Sequence, residues 1–294
     1  MYELIPLTPH DYYIDCPAKI GLVRVEEDQV ILIDSGSDKD TGKKVYRILQ
    51  EKGWTLQAIW NTHSHADHIG GNHFLQEKTG CRIYARGLEC TFTNTPVLEP
   101  MGLYGGLPLK DLLHKFTLAQ ESVALPMESA ALPGGLTLLE LPGHCFDMVG
   151  FLTPDGTAYI ADSVSSPDTL EKYGIGYLWD PQAALGTLDA LETLDARHFV
   201  PSHAPVTQDI APLVQCNRRA ILDVIEKILL LCRQPLTPDD LLGQLFRAYG
   251  MTMTVPQYAL IGSTLRSYLS SLYAQGKISV LCDNGQLRWQ TVLP

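Results

Sequence analysis

The chain has 294 residues, 45% of them hydrophobic, which is enough to bury a large core and excludes a disulfide-stapled mini-protein. The net charge of −11 is unevenly divided, because residues 1–210 carry 14 Lys/Arg against 28 Asp/Glu and residues 211–294 carry 8 against 5. The acidic first part disfavours binding to nucleic acid, although it does not exclude a local basic patch.

The cellular setting is predicted from three absences in the sequence. The seven cysteines include no Cys-X-X-Cys pair, which is typical of reduced thiols. No apolar run approaches the roughly 18 residues of a membrane-spanning helix. The first eleven residues lack the basic and apolar stretches of a secretory signal. We therefore expect a cytoplasmic protein that does not enter a membrane.

Short apolar strands alternate with helices through the first part of the chain. The patterns predict strands at residues 19–25, 29–33, 56–60 and 81–85, and helices at residues 39–52 and 70–78. Residues 87–130 break this rhythm, and we interpret them as an insertion or cap with a short helix near residues 109–116. The pattern resumes with strands at residues 136–141, 149–152, 157–161 and 197–201 and a helix at residues 181–194. This order predicts a mixed α/β domain that ends near residue 210.

Residues 211–294 have a different pattern. They predict helices at 212–232, 238–249 and 256–275, with Thr237 as the N-cap of the second helix. Asn284-Gly285 then separates two apolar strands, which indicates a hairpin. We therefore predict two domains, a catalytic domain at 1–210 and a winged-helix-like domain at 211–294.

One segment carries most of the chemical information. His63-Ser64-His65-Ala66-Asp67-His68 places four metal-binding side chains within six residues, directly after a predicted strand. Three further candidates, His144, Asp162 and His203, lie at the ends of other predicted strands. Seven ligands exceed the four that one tetrahedral zinc ion takes, so they imply two ions. Two ions that share a water activate it for attack, which predicts hydrolysis.

The segment Thr62–Gly71, followed in order by His144, Asp162 and His203 and preceded by Asp34-Ser35-Gly36, resembles the metallo-β-lactamase superfamily. The resemblance covers residues 15–210 and implies a four-layer αβ/βα sandwich. It assigns the first metal to His63, His65 and His144 and the second to Asp67, His68 and His203, with Asp162 as the bridge. It names Asp67 and Asp162 as catalytic residues and Asp34 as a support for the ligand loop.

The details of the motif indicate which branches of the superfamily this sequence resembles. The ligand set is similar to that of the glyoxalase II, lactonase and ribonuclease branches. Residues 145–148 depart from the usual family wording after the third histidine, and Cys145 receives no role. No basic motif matches the glutathione-binding region of glyoxalase II. A winged-helix-like tail is similar to the β-lactamase-like protein 2 group, which includes an endonuclease of single-stranded RNA.

The substrate is expected to meet the variable parts of the chain. Residues 87–130 and 172–180 are rich in Tyr, Trp, Leu and Gly and poor in basic residues. We therefore expect a neutral pocket wall, with Tyr104, Tyr173, Tyr177 and Trp179 as candidate substrate contacts. The alternative is that these aromatic side chains pack a domain interface.

We therefore predict a binuclear metal-dependent hydrolase in which a metal-bridging hydroxide attacks a small-molecule ester, thioester or lactone. The first alternative is an endoribonuclease or phosphodiesterase, and the second is a metal-responsive DNA-binding regulator. Zinc suits the mixed His/Asp ligands, with iron and manganese as alternatives. The tail is expected to cover the active site or to mediate a homodimer.

Overall fold

The computed structural model describes residues 2–292. Seven strands form one sheet in the order β1 to β7, and five helices accompany them. The strands are Glu3–Pro6, Asp11–Asp15, Ile20–Arg24, Gln29–Ile33, Thr55–Trp60, Arg82–Ala85 and Ala124–Pro126. The helices are α1 (Lys39–Lys52), α2 (Ala66–Ile69), α3 (Asn72–Thr79), α4 (Gly87–Asn94) and α5 (Leu98–Tyr104). Strands β1 to β4 pair antiparallel and β4 to β7 pair parallel, as expected where helices connect the later strands.

A second sheet has four strands in the order β11-β10-β9-β8. Its strands are β8 (Thr137–Glu140), β9 (Val149–Leu152), β10 (Thr157–Ser165) and β11 (His198–His203). The helices α6 (Pro167–Tyr173) and α7 (Pro181–Thr193) connect β10 to β11, which pair parallel.

The two sheets pack face to face between layers of helices. Ile31 and Ile33 of β4 face the second sheet, whereas Val30 and Leu32 belong to the cluster beneath α1 and α3. This alternation follows from the two-residue repeat of a strand. The outer face of the second sheet is covered by α7 and by helices from the last part of the chain. The result is the predicted four-layer αβ/βα sandwich.

Residues 211–292 form α8 (Ala211–Leu231), α9 (Pro238–Ala248), α10 (Val255–Ala274) and a hairpin of β12 (Ile278–Asp283) and β13 (Gln286–Thr291). Thr237 caps α9 by accepting a hydrogen bond from the Asp240 N–H. Asn284 and Gly285 turn the hairpin with φ of 49° and 74°. The predicted cap and hairpin are confirmed, while the winged-helix interpretation stays a prediction.

The last part of the chain shares its core with the second sheet. One buried cluster contains Ile160 of β10, Leu188 of α7, Val224 of α8 and Leu265 of α10. The boundary at residue 210 therefore lies beside a continuous apolar core, and it stays a prediction. Within residues 2–292, no helix is both long and apolar enough to span a membrane.

Residues 87–130 differ from expectation. They form α4, α5 and the edge strand β7, and the predicted helix at 109–116 is reduced to a 3₁₀ turn at Lys110–Leu112. The turn ends because the Thr117 hydroxyl donates to the Leu112 carbonyl, which a longer helix would pair with a backbone N–H. The sequence pattern did not predict β1, β2 or α6.

Candidate metal centre

The fold brings all seven predicted ligands to one edge of the two sheets. His63 and His65 follow β5, Asp67 and His68 lie in α2, His144 lies between β8 and β9, Asp162 lies in β10 and His203 ends β11. Ligands from the two sheets thus meet in one place, although they are separated by up to 140 positions in the sequence. Their roles as metal ligands stay a prediction.

Three histidines form the first group. His65 Nδ1 lies 3.1 Å from His63 Nε2 and 3.0 Å from His144 Nε2. A single ring nitrogen cannot form a hydrogen bond with both neighbours at once, because it carries either one proton or one lone pair. Three imidazole nitrogens that converge in this way could bind one metal ion.

Asp67, His68 and His203 form the second group. His203 Nε2 lies 3.3 Å from Asp67 Oδ2, and His68 Nε2 lies 3.9 Å from the same oxygen. The His68 side chain is fully buried, whereas about a third of the Asp67 side chain is exposed. The second group therefore opens toward the protein surface through Asp67.

Asp162 lies between the two groups. Its Oδ2 is 3.3 Å from His144 Nε2 and 3.3 Å from His203 Nε2, and its Oδ1 is 3.1 Å from His68 Nε2. Asp162 Oδ1 and His68 Nε2 are both buried, and neither has a hydrogen-bond partner of suitable geometry within residues 2–292. Buried polar atoms without partners are costly, and a divalent cation between them would satisfy both. The donor set therefore fits two metal ions.

A local irregularity in β10 aims Asp162 into the centre. The register of β10 against β11 shifts between Tyr159 and Ala161, and Ala161 has a φ of 49°. A bulge turns the following side chain relative to a regular strand. The strained backbone at Ala161 thus accompanies the residue that joins the two groups.

Outer hydrogen bonds orient three of the histidines. Asp34 accepts from His68 Nδ1 at 2.8 Å, and it also accepts from the Thr62 backbone N–H and hydroxyl at 2.8 and 2.7 Å. The Thr62 hydroxyl lies 3.0 Å from His63 Nδ1, and His203 Nδ1 donates to the Pro17 carbonyl at 3.1 Å. Each contact engages the Nδ1 atom of its ring, so the Nε2 atom faces the centre.

Two glycines allow the ligand helix to approach the loop that follows β4. A Cβ on Gly70 would lie 2.2 Å from the Ser37 carbonyl oxygen, and one on Gly71 would lie 2.3 Å from that of Ser35. The Ser35 N–H donates to the His68 carbonyl at 2.8 Å, which ties α2 to the same loop. Gly70 and Gly71 therefore allow α2 to pack closely against this loop.

The two groups differ in their charge. Burial lowers the pKa of His65 and of His144 to about 4 and holds the pKa of His63 well below its usual value, so these imidazoles are neutral at pH 7. Neutral imidazole is the form that binds metal. On the other side, the Asp162 carboxylate raises the pKa of His203 to about 10. In the second group, the positively charged His203 therefore pairs with the negatively charged Asp162.

Two glutamates of the 87–130 segment hold the ligand loop, and the sequence analysis missed both. Glu89 is fully buried and accepts hydrogen bonds from the Ser64 N–H, the Ser64 hydroxyl and the Asp147 N–H. Glu99 lies close to the Ala66 N–H, and burial raises the pKa of this carboxyl well above its usual value. No local pattern marks these residues, since their partners are distant in the sequence.

Of the four aromatic candidates, Tyr177 and Trp179 lie beside the three-histidine group. The Tyr177 ring lies 5.3 Å from His65 and 5.6 Å from His144, and Trp179 packs on Phe146 at 4.4 Å beside Ser64 and His65. Tyr173 is half exposed beneath Lys172, and Tyr104 ends α5 near Tyr258.

Cys145 is buried behind the same pocket. Burial raises the pKa of its thiol well above the usual value, which favours the unreactive protonated form.

Residues 13–203 match the family model described as the metallo-beta-lactamase superfamily. The chain belongs to this superfamily. The match begins within β2 and ends at His203, so it includes every predicted ligand, and it confirms the resemblance and fold class predicted from the sequence.

Curated relatives match shorter segments of the chain. A hydroxyacylglutathione hydrolase of Hyphomonas neptunium is 33% identical over 122 residues, which are 41% of this chain and 39% of that protein. Another from Rhodopseudomonas palustris is 32% identical over 153 residues, 50% of this chain and 48% of that protein. The chain thus spans less than half the length of these two relatives. A probable metallo-hydrolase of Bacillus subtilis is 30% identical over 152 residues, 52% of this chain and 66% of that protein.

Solved structures resemble the whole chain. A beta-lactamase domain protein from Burkholderia ambifaria has a TM-score of 0.73 and 18% identity, and the alignment covers 99% of this chain and 94% of that one. A metallo-beta-lactamase family protein from Thermus thermophilus has a TM-score of 0.69 and 19% identity, with coverage of 98% and 97%. At these identities the likeness shows the fold, including the helical last part of the chain.

Proposed function

We propose that this metallohydrolase holds two divalent ions, most suitably zinc, and cleaves an ester, thioester or lactone. The observation that carries the proposal is the position of Asp162 between the two groups, together with the buried His68 Nε2 and Asp162 Oδ1, which face each other at 3.1 Å without hydrogen-bond geometry. His63, His65 and His144 would hold the first ion and Asp67, His68 and His203 the second, with Asp162 contacting both. When bound, the two ions would polarise the substrate carbonyl and lower the pKa of a water between them.

The remaining chemistry belongs to side chains of the chain itself. Asp34, Thr62 and the Pro17 carbonyl keep the histidine rings oriented, so the ligand atoms need little rearrangement. Asp67 is the most exposed carboxylate of the centre, and we assign it the proton released by the attacking water. Tyr177 and Trp179 would exclude water from the side of the three histidines.

Carbonyl substrates are favoured over nucleic acid. Relatives named hydroxyacylglutathione hydrolases act on an acyl group carried by glutathione, and their similarity supports an acyl substrate here. Arg218, one of the basic residues of the last part, is engaged by Asp189 at 2.7 Å and Glu192 at 3.1 Å. The α10 helix, which a DNA-binding regulator would use for recognition, packs instead against α5, α7 and α9.

The deciding experiment measures metal content and turnover together. The purified chain is loaded with zinc, manganese or iron, its metal is measured by elemental analysis, and it is assayed on thioester, ester, lactone, phosphodiester and single-stranded RNA substrates. We expect two ions per chain and turnover of a carbonyl substrate. Cleavage of RNA alone would favour the ribonuclease alternative, and failure to bind metal after loading would refute the proposal.

A further inference from the structure

A cavity beside the metal centre is lined in part by the helical last part of the chain. Its volume is about 100 Å³, and His144 and Asp162 are among its lining residues. Leu170, Leu178, Ile221 and Val224 supply aliphatic wall, and Tyr268 of α10 also lines it. Ser163, Ser165 and Asn217 supply polar wall. The cavity therefore adjoins the proposed reaction centre and offers an aliphatic surface together with a few polar groups.

The size and lining of this cavity determine which part of an acyl substrate it can hold. A water-sized group occupies about 30 Å³, so the cavity holds roughly three or four such groups in a row. No charged side chain other than those of the metal centre lines it within residues 2–292.

A second opening lies beside His203. It is wider, about 530 Å³, and its walls include the polar side chains of Asp15, Lys19, Ser166 and Thr169. A large polar leaving group fits this open groove, whereas an aliphatic chain gains more by entering the cavity. The two openings thus favour an orientation in which the acyl chain lies in the cavity and the leaving group lies in the groove.

We propose that the cavity between β10, α8 and α10 binds the acyl chain of the substrate and selects short, unbranched aliphatic chains. This inference rests on the proposed function, since it assumes that the carbonyl lies at the metal centre. Val224 and Ile221 are then specificity-determining residues, and the last part of the chain sets the chain length that the enzyme accepts.

The test uses the metal-loaded full chain and thioesters of one thiol that carry acetyl, butyryl, hexanoyl or octanoyl groups. Burial of each added methylene is worth about a fourfold gain in kcat/KM, and we expect this gain up to butyryl and little gain beyond it, because the cavity holds roughly three or four groups. Val224→Phe fills the cavity and should reduce the butyryl-to-acetyl ratio at least tenfold. Ile221→Ala enlarges the cavity and should move the optimum toward hexanoyl.

The matched control is Leu222→Phe, because Leu222 lies on the exposed side of the same helix and should leave the ratio unchanged. Thermal unfolding of each variant separates selectivity from loss of fold. If thioesters are turned over with no dependence on chain length, this inference is overturned and the proposed function stands.

A binding measurement covers the case in which no carbonyl substrate is turned over. Calorimetry then compares acetate, butyrate and hexanoate on the wild type and on Val224→Phe. An affinity that rises with chain length in the wild type alone supports the cavity even if the proposed reaction fails. Equal affinity for all three carboxylates overturns the inference.

Discussion

Glu89 Oε2 accepts hydrogen bonds from both the N–H and the hydroxyl of Ser64, at 2.9 and 2.6 Å. Ser64 separates His63 from His65, and the other Glu89 oxygen accepts from the Asp147 N–H at 3.1 Å, three residues after His144. One buried carboxylate therefore joins the two loops that supply the three-histidine group.

This relationship predicts that Glu89→Gln weakens metal binding. The amide has a single acceptor oxygen, and its NH₂ group would face a donor, so we expect a loss of about 1–3 kcal/mol in the free energy of unfolding. Zinc affinity should fall about tenfold, as for other residues that orient ligands. Chelator competition measures the affinity, with Glu77→Gln in the exposed part of α3 as the control. Unchanged zinc affinity would contradict the positioning role of Glu89.

Asp162→Asn tests the bridging position. The amide removes the charge shared by His144 and His203. We expect bound metal to fall from two ions toward one and kcat to fall at least about 100-fold. The control is Asp168→Asn, an exposed change in the first turn of α6. A variant with two ions and near-normal turnover would refute the assignment of Asp162.

Gly71→Ala tests the close approach of α2 to the loop after β4. The added Cβ would clash with the Ser35 carbonyl oxygen at 2.3 Å, and we expect a loss of about 1–3 kcal/mol in stability. Gly186→Ala is the control, because this helical position in α7 has open space around it and should gain about 0.5–1 kcal/mol. Denaturant unfolding of both variants gives the comparison. Equal stabilities would show that the loop adjusts without cost.

Asp38 caps α1 by accepting from the Thr41 N–H at 2.9 Å, and Lys115 donates to its other oxygen. Burial acts to raise the pKa of Asp38, but these hydrogen bonds outweigh it and hold the pKa below the usual 3.8. The folded pKa is therefore depressed, so the stabilisation is complete above the unfolded pKa and is lost as pH falls through the folded pKa.

Asp38→Ala should accordingly cost about 1 kcal/mol at pH 7. The difference from the wild type should shrink below pH 4, which urea unfolding across pH 3 to 7 would measure. Asp40→Ala, an exposed change in the same turn, should cost less at every pH. A cost for Asp38→Ala that is independent of pH would show that the charge is not involved.

A chain that ends at residue 210 should fail to fold stably. Buried Leu188 of α7 and Val164 of β10 belong to the cluster that α8 and α10 complete, and truncation would expose them. We expect aggregation, which size-exclusion chromatography would detect. A monomeric fragment 1–210 with a cooperative unfolding transition would instead establish two independent domains.

Features with local causes could be predicted from the sequence. The bounds of α1 agree with prediction because an N-cap at Asp38 and a left-handed Gly53 mark its ends. The hairpin at Asn284-Gly285 depends on two adjacent residues that accept positive φ. Four of the seven candidate ligands could be named because they lie within six residues, and the other three because they lie at the ends of predicted strands and match the family order.

Features that depend on distant contacts could not be predicted in this way. The short strand β7 is stabilised by pairing with β6, and its three residues have no distinctive alternation. The bulge before Asp162 arises from the pairing of β10 with β11. Glu89 is surrounded by ordinary helical sequence, and its partners Ser64 and Asp147 lie 25 and 58 positions away.

The backbone of Asp34 has a wider consequence for the amino acids that this position can accept. Its φ is 65°, a left-handed conformation that glycine, asparagine and aspartate adopt most readily. Its carboxylate also accepts from His68 and Thr62, which glycine cannot do and which asparagine does with one oxygen fewer. Aspartate alone meets both demands, so a saturation library at this position should retain a single fully active residue.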